Sequence, residues 1–292
     1  MVDNQEKFSR QILAFGHDGQ ERIAKAKVAV VGVGGIGFCI IQQLSYLGTT
    51  QFMLLEDDLV DASNLNRLPG VFSEDIGKAK VEVARRLIKS ISPQASVISL
   101  GNLCSQQSIE GLSAFPDVIF GCVDNDAARF VLTHVAAAYE KTFIDCATEI
   151  HTQEQSILEF GGRIVVARPG KFCLLCANQI DIEIARQELE SEQEKRFRRA
   201  HGYGLGVAGK APSVISFNTV IAGLAVTEFI MLLTGVREPA QMLIYRGMKG
   251  IVSKNIDEKK AGCIVCDNIV GKPEDVDWKR FWAASLPKDF PN

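Results

Sequence analysis

The run Lys27–Gly32, Lys-Val-Ala-Val-Val-Gly, is short, β-branched and apolar, the pattern of a strand buried on both faces. It passes without a break into Gly32-Val-Gly34-Gly35-Ile-Gly37 and then into an apolar-periodic stretch that reaches Leu47. A buried strand that turns directly into a helix leaves few folds open. The helix must pack back over the strand, and the next strand, Gln51 to Glu56, must lie parallel to the first through a right-handed crossover. The glycines allow a tight turn and a close approach of backbone to a phosphate, and the helix start offers amides and the positive end of its dipole. Such a turn can also serve packing alone. Glu56, 21 residues beyond Gly35, adds a carboxylate where ribose hydroxyls would lie. Together with Gly32, Gly34, Gly35 and Gly37 it favours a nucleotide site.

The alternation continues: helix from Gly77 to Ile91, strand from Val97 to Leu100, short helix from Ser105 to Leu112, strand from Asp117 to Cys122, helix from Asn125 to Tyr139, strand from Thr142 to Cys146. Beyond about residue 150 the pattern changes to segments such as Gln155 to Glu159 and Arg163 to Val166, which read as antiparallel strands. The fold class expected is therefore α/β: a doubly wound, Rossmann-like, mostly parallel sheet, with antiparallel strands in the second half. Residues 1–150 form the nucleotide-binding half, 151–270 the second half, and 271–292 an aromatic tail. Ile180 to Lys195 reads as a polar helix, and Arg196 to Pro212 as a glycine-rich loop. Val214 to Thr234 reads as a buried core helix, because Ser216, Asn218, Thr219, Thr227 and Glu228 interrupt it. Met242 to Tyr245 is the last strand expected.

With 32 Lys+Arg against 35 Asp+Glu, the net charge of −3 gives no electrostatic case for nucleic-acid binding. No apolar run reaches a membrane span, and the opening MVDNQEKFSRQ has no signal-peptide core, so a cytosolic, membrane-free protein is expected. Half of the eight cysteines fall in two tight pairs, Cys173-Leu-Leu-Cys176 and Cys263-Ile-Val-Cys266, with 86 residues between them. Four thiolates in two hooks suit a closed tetrahedral zinc site, which has no open position for water and is therefore structural.

The acidic cluster Glu56-Asp57-Asp58, then Ser63-Asn64-Leu-Asn66-Arg67, then Lys80, then Asp124-Asn125 follow in order. Arg67 and Lys80 are cations able to clamp a triphosphate, and Asp124, at a strand's C-terminal end, could hold Mg²⁺. Surface charge is the alternative for either cation, and dinucleotide-dependent oxidoreduction is the alternative chemistry; that second reading leaves Arg67, Lys80 and Asp124 idle.

The opening FSRQ, GxGGxG, the acid after the second strand, SNLNR, the GKAK lysine and CVDN stand in the order and spacing of the ThiF/MoeB/HesA family, and the chain resembles that ubiquitin-activating superfamily from Phe8 to about Cys266. The resemblance implies an enzyme that uses MgATP to adenylate the C-terminal glycine of a ubiquitin-like or sulfur-carrier protein, releasing pyrophosphate. It implies that Gly35 and Glu56 lie on the adenosine side, that Asn64, Arg67 and Lys80 meet phosphates, and that Asp124 is linked to magnesium. Arg10 of FSRQ matches an arginine supplied across a homodimer to the partner's ATP. A catalytically inactive scaffold would have no use for these arginines and this aspartate.

Many members carry a nucleophilic cysteine ahead of the long apolar helix, but His201 to Ser216 contains none. Three outcomes then remain open: the reaction stops at the acyl-adenylate, a hydroxyl such as Ser213 or Ser216 takes the acyl group as an oxyester, or the group passes directly to a partner. Helix capping is the alternative for both serines. Cys39, Cys104, Cys122 and Cys146 fall at helix or strand ends and read as buried thiols, with Cys146 the one that could face the site. The segment Ala211 to Phe229 resembles bacterial activating enzymes of ubiquitin-like conjugation more than molybdopterin or thiazole enzymes. The tail, with Trp278, Phe281, Trp282 and Phe290, could dock a ubiquitin-conjugating-like enzyme or pack on its own domain or its dimer mate. The basic run Lys195 to Arg199 reads as a solvated face that could steer an acidic partner.

Overall fold

The computed structural model describes residues 4–154, 156–190, 194, 212–256 and 258–282. One eight-stranded sheet runs through them in the order β3-β2-β1-β4-β5-β6-β7-β8. Its strands are β1 (Lys27–Val31), β2 (Gln51–Leu55), β3 (Ser96–Leu100), β4 (Val118–Gly121), β5 (Thr142–Gln153), β6 (Ser156–Ala167), β7 (Met242–Arg246) and β8 (Ile251–Asn255). The first five pair in parallel, and β5-β6, β6-β7 and β7-β8 pair antiparallel. The helices are α1 (Asn4–Lys7), α2 (Ser9–Lys25), α3 (Gly35–Leu47), α4 (Lys80–Ile91), α5 (Gln106–Ala114), α6 (Asp126–Ala138), α7 (Ile182–Glu188), α8 (Ile215–Thr234) and α9 (Trp278–Trp282).

Both faces of the sheet are buried, which is why its central strands are apolar at every position rather than at alternate ones. Val28 and Val30 pack with α2, α3, α4 and α8, whereas Ala29 and Val31 pack with α5, α6 and the cysteine segments. Local signals set the helix limits. Gly48, at φ +97°, closes α3 in the left-handed region; Asn125 opens α6 by accepting from Ala128 N–H at 2.8 Å, and Asp181 opens α7 by accepting from Glu183 and Ile184 N–H. In α8, Asn218, Ile221, Ala222, Ala225, Val226, Glu228 and Phe229 are buried. Glu228 is neutralised in place by Arg237 and by Ala240 N–H at 2.7 Å. By length and apolar composition α8 could cross a membrane, but here this face packs on α3, β5 and β6.

The α/β, mostly parallel architecture with an antiparallel extension is the one expected, and several details of its elements differ. Gln155 lies outside the described residues, and the rest of the two segments expected at Gln155 to Glu159 and Arg163 to Val166 are not separate strands: β6 is continuous from Ser156 and forms a long hairpin with β5. That hairpin carries β5 through residue 150, so one sheet spans the two sequence halves. The polar helix is α7, Ile182–Glu188 among the described residues, and most of the glycine-rich loop, the basic run and Phe290 lie outside them. The elements α2 and β8 had not been expected. Phe15 and Gly16 leave helical geometry inside α2 and break its period, and β8 is an edge strand whose residues are largely exposed.

Candidate nucleotide site and four-cysteine cluster

Strand order reverses between β1 and β4: the chain leaves β1 toward β2 on one side and β4 toward β5 on the other. The loops after β1 and β4 therefore part at the C-terminal edge of the sheet, the crevice where open α/β sheets take ligands. The glycines after β1 divide by task. A Cβ on Gly32, at φ +87°, would stand 2.5 Å from the carbonyl oxygen of Cys122, and one on Gly37 would stand 2.1 Å from that of Gly32, so these two fix the turn and its packing. A Cβ on Gly34 would meet nothing within 4 Å, leaving the backbone open to an incoming group. One on Gly35 would stand 2.2 Å from Asn218 Nδ2. The helix α3 begins at this turn, and the amides of its first turn have no intrahelical partner.

Glu56, at the end of β2, accepts from Val33 N–H at 3.1 Å and from Asp57 and Asp58 N–H at 3.0 and 3.2 Å. Its carboxylate braces the glycine turn as well as lying beside it. Burial pushes its pKa up, and Lys80 opposes the shift from 4.0 Å. Lys80 Nζ binds Asp58 Oδ2 at 2.7 Å, so in this state the cation is held by the loop after β2. Asn64 is buried and spent on a reciprocal cap with Asp61, whereas Arg67 reaches back to the Ser63 carbonyl and Asn66 is exposed. Asp124, in the loop after β4, is exposed and accepts from Asn125 Nδ2 at 3.3 Å. Arg10 is exposed in the first turn of α2. The structure thus gathers Gly34, Glu56, Asp58 and Lys80 around one turn and places Asp124 on the neighbouring loop.

The acyl-acceptor candidates separate. Cys146 is fully buried, and desolvation, with Cys122 beside it, raises its pKa well above the usual thiol value. Ser216 is exposed at the start of α8. Ser213 does not cap α8; its Oγ accepts from Asn218 Nδ2 at 3.1 Å. Asn218 was not singled out in the sequence beyond its interruption of the helix, although a polar residue on the buried stripe with Ile221, Ala222 and Ala225 is the signal that finds it. A second group missed is Asp145, 0% exposed and bound by Arg163, with Arg129 Nε at 3.6 Å. Arg129 also donates to the Val123 carbonyl at 2.9 Å, which ties this pair to the base of the Asp124 loop.

Cys173, Cys176, Cys263 and Cys266 are all buried and their sulfurs converge within 4.8 Å. Separations of 3.8 Å for Cys173–Cys176, 3.6 Å for Cys173–Cys263 and 3.8 Å for Cys176–Cys266 exclude disulfides and match the edge of about 3.8 Å that follows from zinc–sulfur bonds of about 2.3 Å in a tetrahedron. The donor set and spacing fit zinc. Behind the cluster, Trp278 stacks on Tyr139 at 5.6 Å and Phe281 packs edge-on to His134 at 5.6 Å. Both rings are used within the chain, which leaves Trp282, 37% exposed, as the outward aromatic among the described tail residues.

The model of the ThiF family matches residues 8–265. The chain belongs to the ThiF family. Its relatives include the sulfur carrier protein ThiS adenylyltransferase of Escherichia coli, 27% identical over 89% of this chain and 94% of that one. The molybdopterin-synthase adenylyltransferase of E. coli is also 27% identical, over 89% and 95% of the two chains. The SAMP-activating enzyme E1 of Haloferax volcanii is 29% identical over 59% and 61%. Among solved structures, E. coli MccB with MccA-N7isoASN matches at a TM-score of 0.72 over 91% of this chain and 75% of that one. At 17% identity that likeness shows the fold.

Proposed function

We propose that this chain is an ATP-dependent adenylyltransferase that activates the C-terminal glycine of a ubiquitin-like or sulfur-carrier protein. The observation that carries the reading is the crevice between β1 and β4, where the open backbone at Gly34 stands beside Glu56 and Lys80 and next to the Asp124 loop. The near-complete overlap with two adenylyltransferases supports the same reaction.

The chemistry asks little of a base, because a terminal carboxylate is ionised at pH 7. One of its oxygens attacks the α-phosphorus of ATP, the bond from that phosphorus to the bridging oxygen breaks, and pyrophosphate leaves with the electron pair. Catalysis is then positioning plus neutralisation of phosphate charge. The first amides of α3 hold the phosphates. Lys80 exchanges Asp58 for a phosphate oxygen, Arg67 swings from Ser63 to the same group, and Glu56 holds the turn and the ribose. Asp124 offers the hard oxygen donor that suits Mg²⁺, which supplies charge neutralisation when bound. The four cysteines would hold a structural zinc, tying the segment after β8 to the segment after β6 without a part in the reaction.

The product is the acyl-adenylate itself, handed directly to a partner. Support comes from the absence of cysteine between Cys176 and Cys263 and from the burial of Cys146. A ubiquitin-like carrier is the preferred substrate, on the resemblance of the α8 region; the overlap with the sulfur carrier protein ThiS adenylyltransferase over 89% of this chain favours a sulfur-carrier protein instead. A homodimer, in which Arg10 reaches the partner's ATP, is supported by exposed apolar residues Leu13 on α2 and Ile215 and Val220 on α8. The test is ATP–pyrophosphate exchange with ubiquitin-like and sulfur-carrier proteins that end in glycine. Exchange that requires that glycine supports the reading; exchange that ignores it, or none with any carrier, overturns it.

A further inference from the structure

Asn218 sits on the inner face of α8 at 1% exposure, within a helix otherwise rich in apolar residues. A buried amide is costly unless its donors and acceptors are matched. Its Oδ1 accepts from Thr148 Oγ1 of β5 at 3.3 Å, and its Nδ2 donates to Ser213 Oγ at 3.1 Å. The same Nδ2 stands 2.2 Å from where a Cβ on Gly35 would lie, and Ser213 Oγ stands 3.5 Å from that point. The side chain therefore joins three elements at one place: β5, the segment entering α8, and the first residue of α3. The side-by-side course of α3 and α8 is set again further along, where Cys39 Sγ and Thr219 Oγ1 are 3.5 Å apart.

A serine hydroxyl has one hydrogen to donate and lone pairs to accept with. Because the Asn218 amide fills a lone pair, the Ser213 hydrogen is the part left to turn toward the start of α3. There Phe38 N–H makes the bond to the Gly34 carbonyl at 2.9 Å, and the amides of Gly35, Ile36 and Gly37 precede any intrahelical partner. An anion lodged on those amides would meet a fourth donor in Ser213.

We propose that Asn218 is a positioning residue of the nucleotide site: it orients the Ser213 hydroxyl as a hydrogen-bond donor to the phosphate held at the N-terminus of α3. This rests on the adenylyltransferase reading. It assigns Ser213 to binding rather than to acyl transfer, since the hydroxyl hydrogen is then given to the phosphate and not to a base that would activate the oxygen.

The test is calorimetric titration of the full chain with MgATP, which needs no carrier, alongside thermal unfolding of each variant. Ser213→Ala is expected to weaken ATP binding by about tenfold or more, as for a lost hydrogen bond to a charged group, and Ser213→Thr to recover most of it. Asn218→Ala is expected to weaken binding comparably, and the double Ala variant no further than either single one, because the residues act as a unit. Asn218→Asp is expected to be worse than Asn218→Ala, since a carboxylate takes the serine hydrogen and repels the phosphate. Unchanged ATP affinity in a Ser213→Ala chain that unfolds like the unaltered one overturns the proposal, as does strict additivity of the two losses. If Asn218→Ala fails to fold, the comparison of Ser213→Ala with Ser213→Thr decides. ATP binding by the unaltered chain keeps the two readings apart: its absence overturns both, whereas its presence with indifferent Ser213 variants overturns only this one.

Discussion

At the scale of single residues, neighbouring glycines of one motif have different work, and substitutions separate them. Gly35→Ala drives a Cβ into the braced Asn218 amide, so it is expected to cost about 1–3 kcal/mol of stability and to reduce ATP affinity, read by thermal unfolding and by titration. Gly34→Ala has room for its methyl group and an extended backbone, so its unfolding is expected to stay near that of the unaltered chain while ATP binding falls. Equal destabilisation by the two would refute this division. Asp124→Ala removes the exposed carboxylate beside the crevice and is expected to lower pyrophosphate exchange by about 10²–10³-fold, the scale seen when one transition-state partner is lost; near-normal exchange would remove Asp124 from the site. The motif residues could be read from order and spacing, but their partners could not. Nothing in the sequence shows that Asn64 is consumed by Asp61, that Lys80 rests on Asp58, or that Asn218 meets Gly35, because those contacts join distant elements and depend on which face each side chain takes.

At the scale of elements, the loop from β2 to α4 carries Arg67, leads into Lys80 at the start of α4, and is pinned by Asp75. That buried carboxylate receives Arg86 at 2.6 Å through two nitrogens, Phe72 N–H at 3.0 Å and Lys78 at 3.0 Å. The Arg86 guanidinium, foremost, holds the Asp75 carboxyl well below the usual carboxylate range. A depressed folded pKa means that this stabilisation is present above the unfolded value of about 3.9 and is lost as pH falls through the folded one. Asp75→Asn is therefore expected to lose about 2 kcal/mol near neutral pH, a figure reduced for the partial exposure of Arg86, and the gap to the unaltered chain is expected to begin closing only below about pH 4 and to narrow steadily as pH falls further in urea unfolding. A gap that persists undiminished at low pH would contradict it. The cysteine cluster makes a second element-scale prediction. Cys263→Ala is expected to lose the bound zinc in metal analysis and to lower the melting temperature while leaving ATP affinity close to normal, because the cluster lies among β5, α6 and α9 rather than at the glycine turn. The parallel half was legible because both faces of its strands are buried and its turns are marked by glycine, whereas α2 hides behind the break at Phe15 and Gly16 and β8 behind its exposed edge.

At the scale of the whole molecule, Arg10 lies ahead of β1, exposed, and the expected route to phosphates runs across a two-fold interface. Mixing Arg10→Ala with Asp124→Ala chains is expected to restore part of the exchange activity, since each mixed dimer keeps one intact site; verified heterodimers without recovery would place Arg10 in its own subunit's site. The central claim concerns the bond that is made, and trapping reads it directly. Hydroxylamine attacks an acyl-adenylate at the acyl carbon, displaces AMP and leaves a hydroxamate. The measurement is intact mass of a glycine-ending carrier after incubation with this chain, MgATP and hydroxylamine. The expected result is a hydroxamate confined to the carrier's terminal glycine, dependent on ATP and lost with Asp124→Ala; unmodified carrier in the presence of demonstrable ATP binding would contradict it.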